Sequence, residues 1–388
     1  MPNSLDIQLK NDSNSDEIYC YITGIALQHG GKRVLIKADG RSLYFPASPS
    51  KIMQPLAEDC AIRLGKKGTT KTVTIPQLAG GRVMFSVGGK LTLLLNPGPA
   101  LVEPSPLNPS DPNANIDWAF AELTLNNDQL FANISYVDFV PRLPVALTLQ
   151  TTDNKVQHVS GTKPDGLNKI CDGLRAQAKK DGRPWDKLIV FRNNNTNEPP
   201  LRALNPTHAG ARGANFNGYY DNYVNDVWKK YAKGSGNELK INTQSAAAGG
   251  VLSGSVNDKG ELVIGGEAFK KPNTQDIFSC NSGPFTTGPS LKRNAIIPRL
   301  AAGFIRSAIL DARDQPSQPN SFYKKDPTNH YSRIVHEVNL DKKGYAFAYD
   351  DVQPDGGADH SGKVNAGNPK TFIITVGGNN AYAGDRMP

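Results

Sequence analysis

The first 150 residues are a succession of short apolar runs, each cut off by glycine, proline, asparagine or aspartate. Examples are Glu17–Leu27, Arg33–Ala38, Thr72–Ile75, Arg82–Val87 and Leu91–Leu95. Runs this short suit strands better than core helices. The chain also holds 37 glycines and 28 prolines in 388 residues, more turn formers than a helical bundle tolerates. Regular short strands predict a sandwich or barrel. The stretch from Asn96 to Pro112, with six prolines, reads as a long irregular loop.

The middle of the chain changes character. Asp165–Lys180 places Leu167, Ile170, Cys171, Leu174 and Ala178 at helical spacing, and Gly218–Ala232 does the same with Tyr220, Val224, Val227, Trp228 and Tyr231. Pro298–Ala312 repeats the pattern, with Pro298 suited to a helix start. Strands are expected between them at Lys187–Phe191 and Glu261–Ile264, and again in the tail at Tyr345–Tyr349 and Thr371–Val376. The expected fold is mainly β with a second α/β part: a β-sandwich or barrel domain over 1–154 and a mixed α/β domain over 155–388. The last strands, about 335–388, are expected either to pack back on the first domain or to close the second.

Several chemistries lose ground. Cys20, Cys60, Cys171 and Cys280 form no CxxC or CxxH, and the six histidines form no HExxH, so neither zinc nor redox chemistry is indicated. The four thiols allow no bridge, one or two. The net charge of +8 is dispersed, without a basic block interleaved with aromatics, so no nucleic-acid partner is expected. No apolar run approaches the ~20 residues of a membrane span. The start, Met1-Pro2-Asn3-Ser4, has no leader pattern, so the sequence reads as an intracellular protein or as a mature secreted form. Sequons at Asn11, Asn133 and Asn194 allow secretion without requiring it.

One segment carries chemistry. Phe120-Ala121-Glu122-Leu123-Thr124-Leu125-Asn126 alternates, so Glu122, Thr124 and Asn126 share one strand face and Ala121, Leu123 and Leu125 the other. A solvated sheet face has the same pattern. Downstream, Asp138 sits among large apolar residues in Tyr136-Val137-Asp138-Phe139-Val140. A carboxylate in such company is paired, hydrogen-bonded or functional; on these residues alone a structural Asp satisfied by loop amides is the favoured reading. Two carboxylates beside one cleft can hydrolyse a glycosidic bond, one donating a proton and the other activating water. The register poses a difficulty. If Asn126 pairs with Gln129, Glu122 pairs with Asn133, and a straight strand puts Asp138 roughly 17 Å further on, facing the opposite side. A bulge, a longer loop or a bend near Pro141 is then required.

These residues resemble the glycoside hydrolase family 64 β-1,3-glucanases, in Ala121-Glu122-Leu123-Thr124-Leu125-Asn126 and in Ala132-Asn133-Ile134-Ser135-Tyr136-Val137-Asp138-Phe139-Val140-Pro141-Arg142-Leu143-Pro144. A more distant likeness is to the plant thaumatin-like proteins. The resemblance continues through Ile170-Cys171-Asp172-Gly173-Leu174-Arg175-Ala176-Gln177, Gly218-Tyr219-Tyr220-Asp221 with Val227-Trp228, and Phe278-Ser279-Cys280-Asn281-Ser282-Gly283-Pro284-Phe285. Ile297-Pro298-Arg299-Leu300 and Tyr349-Asp350-Asp351-Val352 extend it over most of the chain.

The resemblance implies an inverting endo-hydrolase that cuts β-1,3-glucan into short laminari-oligosaccharides, typically the pentasaccharide. Its fold would be a thaumatin-like β domain and a mixed α/β domain flanking a wide cleft. Glu122 becomes the general acid and Asp138 the general base. Thr124 and Asn126 become sugar contacts, Phe131 stands where the family often has a Trp platform, and Asp350 and Asp351 end a strand along the groove. No metal or organic cofactor is needed. The expected partner is a β-1,3-glucan of the laminarin or curdlan type, with no nucleic acid, no membrane, a monomeric state and secretion of the mature form. The rival reading is a non-catalytic thaumatin-like protein that grips glucan without cutting it.

Overall fold

Pairing ties the two ends of the chain together. In the computed structural model, which describes residues 3–378, Ser4–Asn11 runs antiparallel to Thr70–Pro76 and parallel to Pro369–Val376. Val145–Thr151 pairs with the far side of Pro369–Val376, and Val156–Val159 completes five strands. A larger antiparallel sheet faces it. Its order is Lys363–Ala366, Leu130–Ile134, Asp117–Leu125, Leu78–Val87, Ile18–Ala26, Lys32–Ile36 and Leu43–Tyr44, with Ile62–Arg63 added beside Ile18–Ala26. Strand side chains alternate between faces. The inner set (Ile7, Leu9, Val73, Ile75, Leu147, Leu149 and Ile374 against Ile22, Val83, Phe85, Ala121 and Leu123) therefore forms one buried core. Both sheets are open ladders; the barrel alternative is not what forms.

The larger sheet is also covered on part of its outer face. There Tyr21, Met84, Trp118 and Phe120 pack with Leu91 and Leu93 and with Phe139 and Leu204. The last two belong to a three-stranded sheet of Phe139–Pro141, Pro200–Leu204 and Ile189–Phe191. Beyond it, Glu267–Phe269, Leu262–Ile264, Val251–Val256, Leu239–Asn242 and Asp314–Gln315 form a five-stranded sheet flanked by helices.

The helices at Gly166–Asp181 and Asp221–Lys230 lie where the spacing puts them. The third differs. It spans Leu291–Ile305, capped by the Ser290 side chain, with Pro298 in its interior rather than at its start. Proline removes one ladder hydrogen bond, but Ile296, Ile297, Leu300, Phe304 and Ile305 are all buried. Tertiary burial outweighs the local cost. Tyr345–Tyr349 is not a strand but an irregular, turning segment. The proline-rich stretch contains a short strand, Ala100–Val102. All four cysteines are free and buried, with no bridge. Asn11 and Asn133 are buried, so neither sequon is open to glycosylation in the folded chain.

A bulge shapes the larger sheet beside the segment of interest. Ala79 and Gly80 of Leu78–Val87 oppose the single residue Thr124, and Gly80 takes φ +53°. Such a bulge increases local twist. Its neighbour Gly81 passes so close to the next strand that a Cβ there would lie 2.8 Å from the Leu123 carbonyl oxygen. Gly81→Ala is expected to lower the unfolding free energy by about 1–3 kcal/mol, the usual cost of overpacking. An unchanged urea midpoint would show that the two strands separate freely here.

Candidate active site

Directly opposed residues on antiparallel strands share a face. The register therefore lays Arg82, Glu122, Asn133 and Lys363 in one polar row across four strands, with Thr124, Phe131 and Asn365 in the next. Along Asp117–Leu125 the outer face begins with buried Trp118 and Phe120 and opens to half-buried Glu122 and Thr124. Glu122 is thus the first outward side chain beyond the apolar cover. Asn133, itself buried, donates from Nδ2 to Glu122 Oε2 at 3.3 Å, and Arg82 stands 3.6 Å from Oε1. The guanidinium also pairs with Glu103 at 2.7 Å and lies 4.9 Å above the Phe120 ring.

Asp138 reaches this face because the strand stops early. The hairpin has the expected register, Asn126 with Gln129 and Glu122 with Asn133. Leu130–Ile134 then ends, and the Tyr136 N–H donates to the Tyr345 carbonyl at 2.7 Å. The chain turns over Ser135–Asp138, ahead of Pro141, and enters a different sheet at Phe139. Phe139 packs edge-on against Trp118 (4.8 Å between ring centroids) and at a tilt against Phe120 (6.0 Å). The residue after Asp138 therefore packs on the outward residue two before Glu122, and the two carboxylates come to one side of the sheet. Arg82 acts electrostatically on both.

Their side chains are 38% (Glu122) and 41% (Asp138) exposed, so solvent and ligand reach both. The Asp138 carboxyl is held below the usual value of 3.8, chiefly by a hydrogen bond with His208 Nε2 at 3.1 Å, with Arg82 assisting against the opposing effect of burial. Asp138 is therefore an anion at neutral pH. Tyr345 lies within electrostatic reach of Glu122: burial raises its hydroxyl pKa, and the charges of Asp351 and Glu122 add to that. Asp351 also lines a cavity of about 410 Å³ with Arg299, Tyr349 and Gln353. Two carboxyls reached by solvent, with polar groups beside them on an open face, are parts that acid–base hydrolysis can use.

The glycoside hydrolase family 64 model, described as β-1,3-glucanase, matches residues 3–376. The chain belongs to glycoside hydrolase family 64. It is 29% identical, over 97% of its length, to the glucan endo-1,3-beta-glucosidase of Cellulosimicrobium cellulans and to that of an Arthrobacter strain. The chain spans about 65% of the length of each of these relatives. Among solved structures, a laminaripentaose-producing β-1,3-glucanase in complex with laminaritetraose superposes with a TM-score of 0.84 at 30% identity, over 97% of this chain and 99% of that one. A Clostridium beijerinckii β-1,3-glucanase domain shares the fold with a TM-score of 0.71 at 23% identity, covering 97% and 98%.

Other expected site residues in this family 64 chain fall differently. Thr124 and Phe131 are half-buried on the face of Glu122. The Asn126 side-chain oxygen accepts from the Asp128 and Gln129 N–H groups, which makes Asn126 the residue that shapes the hairpin turn. Asp350 does not end a strand; it sits with Tyr323, His336 and His360 against a cavity of about 360 Å³. Its side chain is 1% exposed and accepts from Arg306 at 3.1 Å, His336 at 2.8 Å and the Ala346 N–H at 2.9 Å. Asn133 was legible as the register partner of Glu122, whereas Arg82, His208 and Tyr345 were not singled out as site residues by the sequence.

The Asp350 network sets a pH window. Burial pushes the Asp350 carboxyl up, but His336 and Arg306 outweigh it and hold it below 3.8. Burial pushes His336 down, but Asp350 outweighs it and raises the imidazole above 6.5. The aspartate's contribution is present above its unfolded value and lost as pH falls through the lowered one. The histidine's is present below its unfolded value and lost as pH rises through the raised one. The pair is thus fully engaged between 3.8 and 6.5. Asp350→Asn, which strands a buried cation, is expected to cost about 3–5 kcal/mol in urea unfolding and to flatten the pH dependence of the midpoint. An unaltered midpoint would mean that the network carries no stability.

Proposed function

We propose that the chain is an inverting endo-hydrolase of β-1,3-glucan that releases short laminari-oligosaccharides. The carrying observation is the packing of Phe139 on Phe120, which puts ionised Asp138 on the face that presents Glu122. Glu122 protonates the leaving glycosidic oxygen as the bond to the anomeric carbon breaks. Asp138 takes a proton from a water whose oxygen attacks that carbon from the opposite ring face. Proton count and charge balance with no cofactor. Thr124 and Asp351 contact sugar hydroxyls beside the carboxylates, and the half-buried Phe131 ring offers an apolar face on which a glucose unit stacks. The relatives named above, called glucan endo-1,3-beta-glucosidase and laminaripentaose-producing β-1,3-glucanase, support this substrate class.

The proposal extends to a thaumatin-like β part over about 1–154, joined by the strands Val156–Val159, Lys363–Ala366 and Pro369–Val376, beside an α/β part, acting as a monomer, since the proposed groove draws on one chain. Its polymeric substrate lies outside cells, so the enzyme acts after secretion.

Incubation with laminarin should generate new reducing ends. Glu122→Gln and Asp138→Asn should each lower kcat by about 10²–10⁴-fold, the span of general acid–base catalysis, while folding and glucan retention persist. Glucan binding without new reducing ends in the wild type would leave a lectin. The first product should carry the α-anomeric configuration by NMR; a β product would mean retention and a different second carboxylate.

A further inference from the structure

We propose that His208 is the positioning residue for Asp138, holding one carboxylate oxygen so that the other receives the proton of the attacking water. This deepens the reading of Asp138 as general base and rests on it. His208 Nε2 lies 3.1 Å from Asp138 Oδ1, and among the described residues no hydrogen bond engages Oδ2. With Asp138 ionised, Nε2 carries the hydrogen and donates it. An aspartate on a turn, 41% exposed, swivels about two torsions unless something pins it.

The pin is itself fixed at both ends. His208 lies in the short 3₁₀ turn Pro206–Arg212, whose first N–H groups are met by Asn205: the Asn205 side chain accepts from Thr207 N, and its carbonyl accepts from His208 N at 2.9 Å. The Asn205 N–H then donates to the Asp138 carbonyl, also at 2.9 Å. Donor and acceptor are therefore tied twice, once through backbone and once through side chains, in a closed ring around one buried asparagine.

Arg82 does not take this part. Its guanidinium is committed to Glu103 at 2.7 Å and faces Glu122 at 3.6 Å, so it contributes charge to Asp138 but no direct bond. Nor is the pair a staple of the fold. A single part-exposed side-chain hydrogen bond contributes little to stability, so its removal leaves a folded protein in which the base is no longer held.

The test is laminarin hydrolysis by purified variants. His208→Ala should lower kcat on the order of 10²-fold, the effect of a misplaced catalytic group, with KM within about twofold. His208→Gln carries an amide nitrogen at the reach of Nε2 and should restore most of the rate; the shorter His208→Asn should not. Free imidazole in the buffer should partly rescue His208→Ala, because the site is open to solvent.

A wild-type kcat in His208→Ala would overturn the proposal. So would a loss that glutamine fails to restore, or one that tracks a fall in thermal midpoint. Asp138→Asn separates the two levels: if it hydrolyses normally, the base assignment itself fails. If it is inert while His208→Ala turns over like wild type, only the positioning role falls.

Discussion

The geometry around the carboxylates depends on a single buried amide. Asn205 donates its backbone N–H to Asp138, receives Thr207 through its side-chain oxygen, and reaches across 141 residues of sequence to donate its Nδ2 to the Ala346 carbonyl at 2.8 Å. The turn bearing Asp138, the 3₁₀ segment bearing His208 and the irregular stretch bearing Tyr345 and Asp351 thus meet at one residue. An asparagine is suited to this, since it offers an acceptor and two donors in one plane. Its complete burial leaves each of those groups no partner except the protein.

Around that junction, apolar packing decides where polar chemistry is displayed. Trp118, Phe120 and Phe139 seal half of an outer sheet face, with the Arg202 guanidinium stacked over Trp118 and Phe139 at 5.9 and 5.6 Å. The cover stops at Glu122, and the row running through Arg82 and Asn133 lies at its border. The same strand therefore serves as core at one end and as working surface at the other. No change of secondary structure is needed, only a change in what lies above it.

Much of this was legible in the sequence, for physical reasons that differ by residue. The alternation of Phe120 to Asn126 and the turn residues Asn127 and Asp128 specified the hairpin, because a period of two and a short loop leave one register. What the pattern could not carry was the departure of the chain at Ser135, since its cause is the distant carbonyl of Tyr345 rather than any local breaker. His208 was hidden for a related reason: its meaning comes from a partner 70 residues away. Asp350 misled in the opposite sense. An Asp pair at the end of an apolar run looks like a groove edge, while the charges that pair with Asp350 come from Arg306, just past the end of one helix, and His336, within another. Pro298 shows that summed burial of five apolar side chains overrides a residue that by itself marks a boundary.

The stretch from Gly344 to Val352 has no strand partner along its length and is secured by side chains, among them Asn205, Asp350 and Arg306, and by backbone bonds at Gly344 and Tyr345. Residues held this way are not locked into a pleat, so insertions or deletions beyond the anchored positions change the wall beside the carboxylates without sliding any ladder. The segment is for that reason a natural place for related chains to differ in length, with the scaffold beneath left intact.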